Sequence, residues 1–248
     1  MVKKLPISLE KEIKKYHSRQ GRKKASFYVV EGERCCNEAI STGISIRFML
    51  VTKRGLDKLF QLPKCEIYEV DEKAFDVLSL TENGQGIMLI MEKLPILKPL
   101  LSDPFALVLD GLQEPGNVGT IMRTALAVGL KEIILTKGTV DPYNPKVVRS
   151  GMGAHFKIRI SQIESLSDIK GIVPGKVWLT TPRNGISCYS DGFNLQGGAL
   201  VFGEEGNGIS DFSLGEKVTV PMPGDAESLN VAQAATVFLF EGVRRKLL

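Results

Sequence analysis

The chain has 248 residues, 43% hydrophobic and 24% charged, a composition that buries a substantial core without staples in one large or two ordinary domains. No stretch approaches the ~18 continuous apolar residues of a membrane span, and the start MVKKLPISLE lacks the apolar run of a signal peptide, so a cytoplasmic protein is expected. The net charge is +4, but residues 1–24 alone carry nine Lys/Arg against two Glu, while residues 101–248 are close to neutral.

That basic leader leaves two readings open from charge alone, a polyanion-binding segment and a solvated helix face. Ser8 is placed to cap a first helix running to about Arg19, with Glu10 and Glu12 in its first turn. The loop QGRKKA follows. SFYVVEG then reads as a buried strand and ERCCNEAIST as a helix, and IRFMLVT, CEIYEV and GIMLIME as further strands. Helical stretches near 53–60 and 71–78 separate them, which makes a small α/β domain over residues 1–97. EKLPILKPLLSDP, rich in proline, marks a linker.

From residue 103 the alternation restarts and continues to 248. FALVLD, EIILT, FKIRI, KVWLT, ALVFG and VTVPM read as strands; VGTIMRTALAVG, NPKVVRSG and a final stretch from about Ser228 to Arg245 read as helices. Near-continuous apolar strands suit a parallel sheet covered on both faces. Cys35 and Cys36 are adjacent, Cys65 and Cys188 stand alone, and His17 and His155 are far apart, so neither a disulfide framework nor a metal site is expected. His155 reads as structural or mildly polyanion-facing rather than as a base, and Trp178 as packing.

Three loops carry the candidate chemistry. In LDGLQEPGNVGTIMRTALAVGL a strand ends at Asp110 and a turn delivers a helix bearing Asn117 and Arg123. Val118, Ile121, Met122, Leu126 and Leu130 form its core stripe, and Arg123 lies toward the edge, at the carboxyl end of the sheet where ligands bind in open α/β folds. An ordinary βα turn with a surface arginine remains the plainer alternative. In ALVFGEEGNGIS a buried strand runs into Gly203, Gly206 and Gly208, residues that permit close backbone approach or positive φ. The order is GxxGxG, not the dinucleotide GxGxxG; GMGAHF also fails that pattern, and there is no phosphate-loop motif. In VTVPMPGDAESLNVAQAATVFLFEGVRR, Pro221, Pro223 and Gly224 force an irregular loop before a helix for which Ser228 is the expected cap.

Together these segments resemble the three signature motifs of the SpoU-type (TrmH-like) RNA 2′-O-ribose methyltransferases of the SPOUT superfamily. The motif carriers are Asn117 and Arg123 in the first, Glu205 and Gly206 in the second, and Ser228-Leu229-Asn230 in the third. The likeness covers residues 105–245, with Gly116 and GEEGNG as variants within the pattern; residues 20–95, through FYVVEGERCCNEAI and TENGQGIMLIME, resemble less specifically the substrate-binding domain of rRNA-directed members. The resemblance implies a trefoil-knotted catalytic domain over residues 103–248 and S-adenosylmethionine held in the knot. The backbone near Gly203, Val220 and Leu229 would hold it, with Gly206 and Met222 in the same loops and Thr180 bordering the adenosine by position. It also implies a homodimer in which Arg123 works beside the partner chain's cofactor.

The chemistry expected is methyl transfer to a ribose 2′-hydroxyl of structured RNA, without metal. The family's arginine is often cast as general base, but a guanidinium is essentially always protonated. Polarisation of the hydroxyl and phosphate anchoring by Arg123 is therefore the expected role, with Asn117 and Asn230 holding arginine and substrate, and Glu205 and Ser228 ordering the loops. Two alternatives stand beside rRNA methylation: a tRNA methyltransferase, and a non-catalytic RNA-binding or assembly protein. The globular leader domain favours rRNA over tRNA, and the complete polar set favours an enzyme over a binder.

Overall fold

The computed structural model of the protein describes residues 2–81 and 84–248; Glu82 and Asn83, within the TENGQG segment, lie outside the described residues. The chain divides into two compact units, Met1–Pro95 with Asp141–Phe156, and Ile96–Val140 with Lys157–Leu248.

The first unit runs β1 (Val2–Lys4), α1 (Ile7–Lys15), α2 (Arg19–Lys24), β2 (Phe27–Glu31), α3 (Glu33–Thr42), β3 (Ile46–Val51), α4 (Lys53–Leu56), β4 (Glu66–Glu69), α5 (Glu72–Leu78) and β5 (Ile87–Glu92). Its sheet has the order β1-β4-β3-β5-β2, parallel at β1–β4 and β3–β4, antiparallel at β3–β5 and β2–β5. Successive strand residues point to opposite faces. Val30, Met49 and Leu89 therefore enter one core with Cys36 and Ala39 of α3, while Val29, Leu50 and Ile90 enter a second with Ile13 and Phe75. Both faces are covered, which is why the strands read as unbroken apolar runs.

Three local expectations fail here. Ser8 lies inside α1, whose N-cap position is Pro6, and that end has no side-chain cap. The serine that does cap is Ser18, whose Oγ accepts from Gly21 N at 3.0 Å and starts α2 where the sequence suggests a loop. The third concerns α7 (Pro145–Gly151), capped by Asn144, which the sequence places in the second α/β run. It belongs to the first unit, where Tyr143 and Val148 are buried in the core and Tyr143 Oη donates to Leu94 O at 2.9 Å.

The second unit contains β6 (Ala106–Asp110), α6 (Pro115–Ala127), β7 (Glu132–Thr136), β8 (Arg159–Ile163), β9 (Val177–Thr180), β10 (Ile186–Ser187), β11 (Ala199–Gly203), β12 (Glu216–Thr219) and α8 (Val231–Arg244). All seven strands pair in parallel, in the order β10-β12-β9-β11-β6-β7-β8. Within this unit the later part of the proline-rich stretch is hydrogen-bonded: the Glu132 carboxylate accepts from Leu100 N at 3.1 Å and Leu101 N at 3.2 Å, and Leu97 bridges to Ser161. Trp178 is fully buried in β9, its indole donating to Asn194 O at 2.5 Å.

Candidate functional site

β6, β9, β11 and β12 lie side by side and parallel, so their carboxyl ends open at one edge of the sheet, where the three loops emerge. Asp110 fastens the first two. Its buried carboxylate accepts from Thr136 Oγ1 at 2.9 Å and, across the sheet, from Ser210 N at 2.7 Å. The loop after β11 then folds back on itself through paired bonds between Glu204 and Gly208, of 3.0 and 2.8 Å. A Cβ at Gly203 would lie 2.3 Å from Gly208 C, and Gly208 itself has φ +71°, so this turn requires glycine at both places. The close approach at Gly203 is thus to its own loop; Gly206, by contrast, faces open space.

The third loop is held by Arg183, which donates to Ala226 O at 2.8 Å, and by Thr219 Oγ1, which donates to Pro182 O at 2.9 Å. It ends at α8. Here the expected cap is corrected: Asn230, not Ser228, caps the helix, its Oδ1 accepting from Ala232 N at 2.9 Å and Gln233 N at 3.3 Å. The helix starts at Val231, three residues later than expected, because Ser228 and Leu229 continue the irregular loop.

The second and third loops, with the turn after β9, line a cavity of about 580 Å³, to which the first loop contributes no lining residue among the described residues. All six residues expected to hold a cofactor line it: Thr180, Gly203, Gly206, Val220, Met222 and Leu229. Of the five expected in the chemistry, Glu205, Ser228 and Asn230 line it too. Asn117 does not, but joins them by hydrogen bonds: its Nδ2 donates to Glu205, and its Oδ1 accepts from Asn230 Nδ2 at 3.0 Å. One chain of polar contacts therefore links all three motifs. Sequence reasoning does not single out Phe238 and Ala234 of α8 or Asn207, which also line the cavity; the small Ala234 reads in sequence only as helix packing.

Arg123 stands apart. It lies six residues beyond Asn117 on α6, about 9 Å along the axis and turned by about 120°. Its side chain is exposed, does not line the cavity, and makes no hydrogen bond or ion pair among the described residues. The buried stripe of α6 is Val118, Ile121, Met122 and Ala125, leaving Leu126 half-buried. The stripe turned by one position keeps Arg123 on the outside.

The cavity fits a mixed polar and apolar ligand such as S-adenosylmethionine. Its volume lies within the roughly 300–1,000 Å³ of small-molecule sites, and Val220, Leu229 and Phe238 give it apolar walls beside the main chain of two irregular loops. The amides of Val220, Met222 and Leu229 make no hydrogen bond among the described residues, which leaves donors free at its rim.

Comparison with known proteins agrees. Residues 104–240 match the SpoU rRNA Methylase family, and residues 10–89 match the MRM3-like substrate binding domain. The chain is 33% identical over 240 residues to the 23S rRNA (guanosine(2553)-2′-O)-methyltransferase RlmP of Bacillus subtilis, covering 93% of this chain and 94% of that protein. It is 29% identical over 305 residues to mitochondrial rRNA methyltransferase 3 of Xenopus tropicalis, covering 94% of this chain and 72% of the relative. Among solved structures, the AdoMet-bound rRNA methyltransferase from Sinorhizobium meliloti superimposes with a TM-score of 0.81 at 27% identity, covering 100% and 99% of the two chains.

Proposed function

Since the chain belongs to the SpoU rRNA methylase family, we propose how its residues divide the work of ribose methylation. The reaction is S-adenosylmethionine-dependent transfer of a methyl group to a ribose 2′-hydroxyl, with rRNA as substrate. The bound cofactor supplies a methyl group on a sulfonium, already activated toward a nucleophile.

Gly203, Gly206 and Thr180 shape the cofactor cavity, and the main chain at Val220, Met222 and Leu229 meets the ligand. Asn117, Glu205 and Asn230 form one hydrogen-bonded unit at its edge, which orders the loops and presents amide and carboxylate oxygens toward the sugar; Ser228 continues that rim. Arg123 holds the 2′-hydroxyl oxygen or the neighbouring phosphate. A permanently charged, exposed guanidinium does this by charge and its planar set of donors, without giving up a proton. Positioning of this kind contributes roughly 7–11 kcal/mol to a bimolecular transfer when alignment is good.

The observation that carries the reading is the convergence of the second and third turns on one cavity, tied to the first turn by the hydrogen bonds of Asn117, with an unpaired guanidinium on the helix that follows the first. Because Arg123 is outside its own chain's cavity, the site is completed by a second copy, in a homodimer. Exposed Phe240 and Val243 on α8 offer apolar surface for that association. The strand order supports a trefoil knot in residues 103–248: the chain crosses β9 to reach β12, then returns for α8 to pack against α6 and β11. Residues 1–97 would capture RNA, and the protein would work in the cytoplasm.

Arg123→Ala tests the division of labour. It should bind S-adenosylmethionine with unchanged affinity in calorimetric titration while losing about a hundredfold or more in kcat, the scale of losing one oriented donor to developing charge. Near-normal turnover would remove Arg123 from the site.

A further inference from the structure

Phe60 is 86% exposed, more than any other large hydrophobic residue described, and Leu62 is 59% exposed. Such side chains at a loop tip are usually mobile. This tip is clamped. Leu59 packs against the core of the first unit and Pro63 is buried, which anchors the loop on either side.

The clamp itself is Asn37 of α3, only 8% exposed. Its Nδ2 donates to Lys58 O at 3.0 Å and its Oδ1 accepts from Phe60 N at 3.0 Å. A buried amide is tolerated when donor and acceptor are both used, and here both are spent on the two residues that carry Phe60 outward. The base of the loop is equally fixed. Thr52 caps α4 by accepting from Gly55 N at 3.1 Å, its own amide donates to Gly86 O at 2.9 Å, and Lys58 Nζ donates to Gln85 O at 3.3 Å.

Around the tip, residues 53–64 hold Lys53, Arg54, Lys58 and Lys64 against Asp57 alone. Lys53, Arg54 and Lys64 are exposed and make no ion pair among the described residues. A protein-docking patch would show the reverse, an apolar centre depleted of lysine. An exposed aromatic on a clamped backbone, with unpaired cations close by in the chain, is the pattern that reads unpaired nucleotides, stacking on a base while cations meet the backbone.

We propose that Phe60 is a stacking platform for an unpaired base of the RNA substrate, held ready by Asn37 and flanked by phosphate-binding Lys53, Arg54 and Lys64. The proposal rests on the reading that the first unit captures RNA. Preorganisation is its advantage, since binding then costs little loop ordering.

The test uses the full chain and an unmodified 23S rRNA transcript in filter binding across a salt series. Phe60→Ala should weaken binding about 5- to 150-fold, the range for losing one stacked base, without changing the salt slope or the melting temperature. Phe60→Trp should restore affinity, and Phe60→Leu, apolar but unable to stack, should not. Lys64→Ala should instead lower the log–log salt slope by roughly 0.7–0.9. Equal affinity of Phe60→Ala and the unaltered protein overturns the proposal, as does full retention by Phe60→Leu, which would mark an apolar contact of the kind a protein partner makes. An unaltered protein with no salt-dependent affinity for the transcript would instead overturn the RNA-capture reading beneath it.

Discussion

Arg123 and His155 are the two side chains with the clearest chemical reputations, and their surroundings separate them. Arg123 is exposed and unpaired among the described residues, free to meet a phosphate or hydroxyl. His155 is only 3% exposed; its Nε2 lies 2.7 Å from Pro142 O, and its Nδ1 has no partner among the described residues. The neutral ring donates to Pro142 through Nε2, so a second proton would sit at Nδ1 without an acceptor. Burial pushes its pKa down to about 4, so it stays neutral at pH 7 and is a structural residue. The folded value lies below the unfolded one of about 6.5, so its contribution is present in full above pH 6.5 and lost as the pH falls toward 4, by up to about 3 kcal/mol. Thermal unfolding of the unaltered protein and His155→Gln should therefore give melting curves that diverge from pH 6.5 down to 4, the histidine form falling faster. Parallel pH profiles would show that His155 does not carry this loss.

At the scale of elements, α8 is secured at both ends. Asn230 caps its start and ties it to Asn117, while near its end the buried Glu241 accepts from Arg244 and Arg245. Those bonds hold the Glu241 carboxyl down at about 2, and Arg245 also donates to Phe193 O at 2.8 Å and Ser190 O at 2.9 Å. Asn230→Ala should thus cost about 1–2 kcal/mol in denaturant unfolding, the worth of a good N-cap, whereas Ser228→Ala should cost under about 0.5 kcal/mol. The opposite ranking would restore Ser228 as the cap. This pair shows where sequence reading stops. Strands such as β6, β7 and β11 are legible because both faces are buried and the apolar run is unbroken. Caps are not, because Ser228 and Asn230 are equally good capping types and only the loop path decides between them; Ser8 and Ser18 repeat the ambiguity. β1 and β10 are too short to show a period and exist through parallel pairing with distant strands. The helix of Pro145–Gly151 is legible as a helix, but which core it enters is a tertiary choice. The candidate site residues are legible from three motifs, but the Asn117–Glu205 and Asn230–Asn117 bonds join positions far apart in the chain and emerge only on folding.

For the whole molecule, the consequence of an arginine outside its own cavity can be tested without a dimer structure. Gly206 lines the cavity, a Cβ placed there would meet nothing within 4 Å, and its φ is not positive, so Gly206→Trp should fill the site without straining the backbone. That variant should lose cofactor binding but keep a good guanidinium, and Arg123→Ala should keep the cavity but lose the guanidinium. Each homodimer is then inactive for a different reason. If a twofold dimer builds each site from one chain's cavity and the other chain's arginine, every mixed dimer has one complete site. Random exchange at equal concentrations makes half the dimers mixed, so methyl transfer should return to about 25% of the unaltered level. If Arg123 served its own chain's cavity, each site of a mixed dimer would still carry one defect, and mixing would recover nothing. Mixing the two purified variants under exchange conditions and measuring methyl incorporation into an rRNA transcript decides between these arrangements, since only an arginine acting across the interface can rescue two separately dead chains.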